Sequence, residues 1–225
     1  MTKISIVTIN LNDWRGLEDS IQSVLSQTLR NQVEYIVIDG LSKDGSKDII
    51  DKYASHIEKV CIEKDSGVFD AMNKGIDLAM GQYIYFLNSG DVFASDDVLG
   101  AVNRAISDLS GQHNIICGNV KLGDQGAFVA IADLTPWIPH QGAFVKTEVL
   151  KAYRFDTTFK IYGDLDLWTR MKSGNDYSVL LIDQLIAEFD LNGLGSNPEY
   201  MFQQYRDRVT YYLKYGLYFN LVSSS

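Results

Sequence analysis

Residues 63–91 read EKDSGVFDAMNKGIDLAMGQYIYFLNSGD. In the first half, Phe69, Met72, Ile76 and Ala79 recur at the spacing of one helix face. The second half holds an unbroken apolar run over 83–87, aromatic or β-branched at several positions, which predicts a buried strand. That run stops at Asn88-Ser89-Gly90-Asp91. A helix pattern feeding a buried strand that opens into small polar residues and a carboxylate is the unit from which the rest of the chain is read.

Outward from this stretch the same rhythm recurs. Strand patterns lie at 4–9, 34–39 and 59–63. Between them run helix faces carrying Leu17, Ile21, Val24 and Leu25, then Ile49, Ile50, Tyr53 and Ile57. Strict alternation of strand and helix predicts right-handed βαβ units and a parallel sheet. After Asp91 the alternation loosens. A helix over 98–109 is followed by strand patterns at 114–121, 128–131 and 141–145. A short helix starts near Asp164, strands follow at 179–182 and 186–189, and a long helix begins after Pro198. No internal repeat, low-complexity segment or linker interrupts the chain. One α/β domain is expected, with a mainly parallel mixed central sheet flanked by helices.

A chain of 225 residues fits a single domain with a substantial core. The formal net charge of −9 argues against a general nucleic-acid binder, which needs a basic surface. Cys61 and Cys117 sit in apolar runs without CxxC spacing, so they are read as reduced core thiols of a cytoplasmic protein. The first apolar run is too short for a signal peptide, and no stretch is long enough to span a bilayer.

Ligands of open α/β sheets bind beyond the carboxyl ends of the parallel strands. Those ends carry Thr8 and Asn10, Asp39, Glu63 and Asp65, and Asn88, Ser89 and Asp91. All are polar and three carry an acid, which suits a polar ligand accompanied by a cation. The turn after the first strand has no GxGxxG, and no GKS or GKT loop occurs. A phosphate bound here needs a metal or basic side chains in place of a glycine cradle.

The blocks SIVTINLN (5–12), YIVIDGLSKDGS (35–46), 63–91 and GDLDLWTRM (163–171) resemble, in order and spacing, those of the family 2 glycosyltransferases with the GT-A (Rossmann-like) fold. The likeness is strongest to bacterial enzymes building capsule, O-antigen and other exopolysaccharide repeat units. It places a glycosyltransferase domain at 1–196, with a nucleotide-binding half to about 95 and an acceptor-binding half after it. Residues 197–225 form a C-terminal helical extension. The resemblance implies an inverting hexosyltransferase that uses a nucleotide-sugar donor and Mn²⁺ or Mg²⁺; the short side chains Thr8, Asn10 and Asp65 favour a UDP-linked donor. The acceptor it implies is a saccharide or polyprenyl-diphosphate-linked saccharide of cell-surface polysaccharide synthesis.

The same resemblance assigns roles. Asp91 is the metal carboxylate, although the family commonly has two adjacent acids and this chain has glycine at 90. Asn88 and Ser89 contact the ribose side, and Asp39 accepts an N–H from the nucleobase. Thr8 and Asn10 line base and ribose. Asp65, Asn73 and Lys74 wall the nucleotide or its diphosphate, at a helix start that favours phosphate. Asp164 is the base that deprotonates the acceptor. Asp166 is its rival, but two residues on a helix point apart, so only one of them faces the sugar. His140 is placed against diphosphate, metal or acceptor. Trp137 either stacks on a sugar or packs, and residues 190–196 resemble a mobile lid. The aromatic, basic C-terminal stretch fits an interfacial membrane helix, or one packed on the domain or on a second copy. Two other readings stay open: a metal-dependent nucleotidyltransferase, whose N-terminal phosphate loop is missing, and a noncatalytic sugar-nucleotide-binding relative.

Overall fold

Seven consecutive buried residues, Ile4–Asn10 (β1), form the middle of the sheet. Helices cover both faces of this strand, so apolar side chains, Ile4 and Ile6 on one and Val7 and Ile9 on the other, dominate both. β1 pairs in parallel with Val33–Asp39 (β2) on one side and Tyr83–Phe86 (β4) on the other, while Lys59–Ile62 (β3) extends the parallel run beyond β2. Beyond β4 the sheet becomes mixed. Ala143–Lys146 (β8) is antiparallel to both β4 and Ile115–Leu122 (β6). Val179–Phe189 (β9) runs parallel to β6, and Val92–Phe93 (β5) closes the far edge antiparallel to β9. The order is β3-β2-β1-β4-β8-β6-β9-β5, with Phe128–Val129 (β7) paired to β6. The computed structural model describes residues 4–108, 112–122, 128–129, 138–189 and 200–216.

Two apolar cores sandwich this sheet. One lies under Trp14–Leu25 (α1), Ser46–Lys52 (α2) and Val98–Asp108 (α4), through Leu17, Ile21, Val24, Ile50, Leu99 and Val102. The other lies under Val68–Leu78 (α3), Thr147–Tyr153 (α5), Gly163–Ser173 (α6) and Met201–Tyr215 (α7), through Phe69, Met72, Leu150, Leu167, Trp168 and Tyr211. α1 begins where Asp13 caps it, its carboxylate accepting from the Gly16 N–H at 3.0 Å.

The alternation read from the sequence is present through β4. Farther on, the strands expected at 179–182 and 186–189 are one strand, β9. The polar pair Asp183-Gln184 reads as a turn but lies in the ladder. The register of β6 shifts around Gly118, and a side chain on Gly118 would meet the Gln184 carbonyl at 2.5 Å. This irregularity absorbs the polar residues without breaking the pairing. The two-residue β5 and the seven-residue α5 are absent from the sequence reading: β5 is too short to display a period, and α5 follows directly on β8 without a boundary of its own. Cys117 is buried and Cys61 half-buried, both as free thiols, and burial pushes the Cys117 thiol up. Among the described residues no helix is long and apolar enough to cross a membrane.

Candidate active site

The carboxyl ends of β1 and β2 are register partners at Asn10 and Asp39. Asp39 is buried, and its carboxylate accepts from Asn10 Nδ2 at 2.7 Å, Ser42 Oγ at 2.7 Å and Ser42 N at 2.8 Å. It therefore shapes the turn after β2. A carboxylate offers about four acceptor positions, so one remains on Oδ1. Asn10 Oδ1 in turn takes the Ser89 hydroxyl at 2.9 Å, which ties the β4 end to this pair. Loops 10–14 and 40–46 are laced together by Asn12 N to Ser42 Oγ (2.8 Å), Lys43 N to Asn12 Oδ1 (2.8 Å) and Trp14 N to Asp44 Oδ2 (2.9 Å). Asn12 and Leu41 adopt left-handed backbone, φ 54° and 68°. Asp65 packs its Oδ2 against the Cα of Gly40 while Oδ1 accepts from Gly67 N at 3.0 Å. The ends of β1, β2, β3 and β4 thus meet at one place.

At the β4 end, Asp91 N bonds back to Asn88 O at 2.9 Å across Gly90, whose φ of 91° admits few residues besides glycine. The Ser20 hydroxyl of α1 lies 3.0 Å from Asn88 O and 2.8 Å from Asp91 O and holds this turn. The turn brings Asp91 back into a buried position. Asn88 Nδ2 is 3.2 Å from His140 Nε2, and His140 Nδ1 is 3.4 Å from Asp164 Oδ2. A proton on Nδ1, facing the carboxylate, leaves Nε2 to accept from the amide. This series Asp164–His140–Asn88 joins the start of α6 to the end of β4.

Asp164 stands in the first turn of α6, part-buried, with Oδ1 accepting from Leu165 N at 2.7 Å. Gly163 precedes it because a β-carbon there would lie 2.5 Å from the Phe69 ring. This explains the missing side chain where the resembling family often has glutamate. Asp166 points away from Asp164 and His140. It is 0% exposed, bound by Arg170 Nε (2.7 Å), Lys214 Nζ (2.6 Å) and Tyr215 OH (2.7 Å).

Other residues singled out in the sequence lie apart from this cluster. Thr8 is buried with its hydroxyl 3.0 Å from Tyr35 OH, inside the helix–sheet layer. Asn73 spends its amide on the backbone of Phe155, donating to O at 2.9 Å and accepting from N at 3.0 Å. Lys74 reaches Lys64 O at 2.7 Å and Glu63 at 3.1 Å, on the rim. Trp137 and residues 190–196 lie outside the described residues. Two groups were missed. Leu11 and Leu41 are exposed apolar side chains at the β1 and β2 ends, and an isolated leucine in a polar loop was the available signal. Lys160 places its Nζ on Ser66 O beside Gly67, and nothing in its sequence neighbourhood marks it.

The donor set decides what cation suits the site. Among the described residues no group of three or more His, Cys, Asp or Glu side chains could hold a metal alone. Asn88 Oδ1, however, is buried without a hydrogen-bond partner among them. Such an orphaned acceptor, in the turn that ends at Asp91, fits a hard cation that brings most of its oxygen ligands with it, as Mg²⁺ does with diphosphate.

The profile of Glycosyl transferase family 2 matches residues 5–158. An uncharacterized glycosyltransferase of Mycobacterium tuberculosis is 32% identical over 213 residues, covering 87% of this chain and 78% of that one. A PGL/p-HBAD biosynthesis glycosyltransferase of the same organism is 35% identical over 107 residues, 46% of this chain and 41% of that one. Among solved structures, S. aureus TarS (residues 1–349) in complex with UDP-GlcNAc superposes with a TM-score of 0.70 at 17% identity, covering 84% of this chain and 58% of TarS. The mannosyltransferase PcManGT from Pyrobaculum calidifontis, in complex with GDP-Man and Mn²⁺, gives 0.67 at 16% identity, covering 83% of this chain and 56% of that one. At these identities the structures establish a shared GT-A-like fold, and this chain spans less than two thirds of either.

Proposed function

We propose that this chain, which belongs to glycosyl transferase family 2, moves a sugar from a UDP-linked donor to a hydroxyl of a saccharide or polyprenyl-diphosphate-linked acceptor, inverting the anomeric carbon. The observation that carries this reading is the series Asp164–His140–Asn88, which sets a part-buried carboxylate beside the nucleotide end of the sheet. Asp164 takes the proton of the acceptor hydroxyl as its oxygen attacks the anomeric carbon and the nucleoside diphosphate departs. His140 orients Asp164. The last acceptor position on Asp39 receives the nucleobase N–H, Asn10 and Ser89 face the ribose, and Leu11 and Leu41 flank the base. Bound with the donor, Mn²⁺ or Mg²⁺ would neutralise the diphosphate, held by Asp91 with Asn88 Oδ1 as a further ligand, while His140 Nε2 stays on the Asn88 amide.

The outer face of α7 is proposed to rest on an anionic membrane surface at the cytoplasmic side. Met201 and Phe202 are 70% and 80% exposed, Tyr205 and Leu213 follow on the same side, and Arg206 among them is an exposed basic charge in a chain of net charge −9. Glycine at position 90, where the family commonly has a second acid, favours one rival, a noncatalytic sugar-nucleotide binder.

A panel of UDP-, GDP- and dTDP-sugars, read by thermal shift and by nucleotide release with and without Mn²⁺, tests the proposal. A UDP-sugar is expected to stabilise the protein more with metal present and to be turned over, and Asp91→Ala is expected to abolish both effects. Full turnover in excess EDTA would remove the metal, and metal-dependent binding without turnover on any acceptor would favour the noncatalytic relative.

A further inference from the structure

Asp207 of α7 is 1% exposed, and its carboxylate reaches out of its own helix. Oδ2 accepts from three consecutive backbone N–H groups, those of Lys160 (2.6 Å), Ile161 (2.7 Å) and Tyr162 (3.3 Å), while Oδ1 accepts from Gln203 Nε2 at 2.8 Å. Successive N–H groups converging on one point form an anion nest, and here the anion belongs to the chain itself. Tyr162 is the residue before α6, and Asp164 is the second residue of that helix. α7 holds α6 again beyond Asp164, where Lys214 and Tyr215 bind Asp166, and a third time where Tyr211 OH lies 2.6 Å from Thr169 Oγ1.

These contacts exceed what docking requires. α6 already buries Leu167, Trp168 and Met171. A buried carboxylate must recover a desolvation cost, and apolar substitutes at such positions are often no less stable. A carboxylate fixed by three amides does supply a defined place for the segment it binds. We propose that Asp207 is a positioning residue for transfer: it fixes residues 160–162 and through them the start of α6, so that Asp164 stands at its working distance from the acceptor. This rests on the reading of Asp164 as the base. It makes the C-terminal helix part of the reaction's geometry.

The variants are Asp207→Asn, which keeps the shape but not the charge, and Tyr215→Phe, which removes one hydroxyl from Asp166. Turnover is measured with the UDP-sugar identified by the donor panel, UDP affinity by isothermal titration, and backbone order by hydrogen exchange at residues 160–162. A misplacement on the order of 1 Å costs up to about 100-fold in rate. Asp207→Asn is therefore expected to lower kcat by about 10- to 100-fold with donor KM and UDP affinity unchanged, and to speed exchange at 160–162. Tyr215→Phe is expected to lower kcat less. In an Asp164→Asn background, Asp207→Asn is expected to add nothing, because both changes act on one proton transfer. Undiminished kcat in Asp207→Asn, an equal loss of UDP affinity, or losses that multiply in the double variant would overturn the proposal. If Asp164→Asn alone retains full turnover, it is the assignment of the base that fails, and faster exchange at 160–162 still reports whether Asp207 holds that segment.

Discussion

Asp164 and Asp166 have the same side chain, in the same helix turn, in opposite surroundings. Asp164 faces His140 across 3.4 Å, while Asp166 is buried and held by Arg170, Lys214 and Tyr215. The spacing of two residues was legible in the sequence as a divergence of direction, but the partners from α7 were not, since they lie nearly fifty positions away. Gly163 adds a constraint of size. Gly163→Ala sets a methyl 2.5 Å from a buried phenylalanine ring, so α6 or Phe69 must shift. The expected result is a stability loss of about 1–3 kcal/mol, read by urea unfolding, with turnover falling more than UDP affinity. At the carboxyl end of β2, Asp39→Ala removes a charge-assisted acceptor worth about 1.5–3 kcal/mol. UDP should then bind roughly 10- to 150-fold more weakly by isothermal titration, with metal dependence kept. Asp39→Asn should lose less, because its amide oxygen still accepts. Equal UDP affinity in Asp39→Ala would take Asp39 out of the base contact.

Among the elements, those with a clear boundary were legible and α5 was not. α3 and β4 show their periods in residues 68–86, whereas α5 starts where β8 ends and leaves no room for a pattern. Thr8 and Asn73 illustrate a different limit. Both lie where the sequence expects ligand contacts, but their partners are Tyr35 and the Phe155 backbone, and only tertiary packing reveals that. The attachment of α7 should depend on pH. Burial raises the Asp156 carboxyl, but hydrogen bonds from Lys214 and Thr158 outweigh it and hold the group at about 2, against an ordinary 3.8. A depressed folded value means the unfolded chain binds the proton first. The stabilisation is therefore present above the ordinary value and lost as pH falls toward about 2. Thermal unfolding should show a drop between about pH 4 and pH 2 that is shallower in Asp156→Asn. On the outer face of the same helix, Phe202→Glu with Tyr205→Glu should abolish sedimentation with phosphatidylglycerol vesicles while phosphatidylcholine vesicles bind neither form. Retained binding would free α7 for another partner, and a dimer lost in the same variant would identify a second copy.

Across the whole molecule, the parallel strands β3-β2-β1-β4 gather the residues proposed for the nucleotide at their carboxyl ends. The mixed half delivers His140 and α6, which carries the proposed base, to the same place. The first half was legible because βαβ repetition constrains topology tightly. In the second half the individual elements were legible but their pairing was not, since strands of four to eleven residues that run in both directions, with one irregular register, do not announce their order. One chain of side chains, Asp164–His140–Asn88, spans the two halves, and the proposed chemistry depends on it. The decisive measurement is UDP affinity and donor turnover in wild type and Asp164→Asn at saturating Mn²⁺. The account predicts unchanged affinity with turnover lowered by about 100-fold or more; full turnover in the variant, or affinity lost together with turnover, would contradict it.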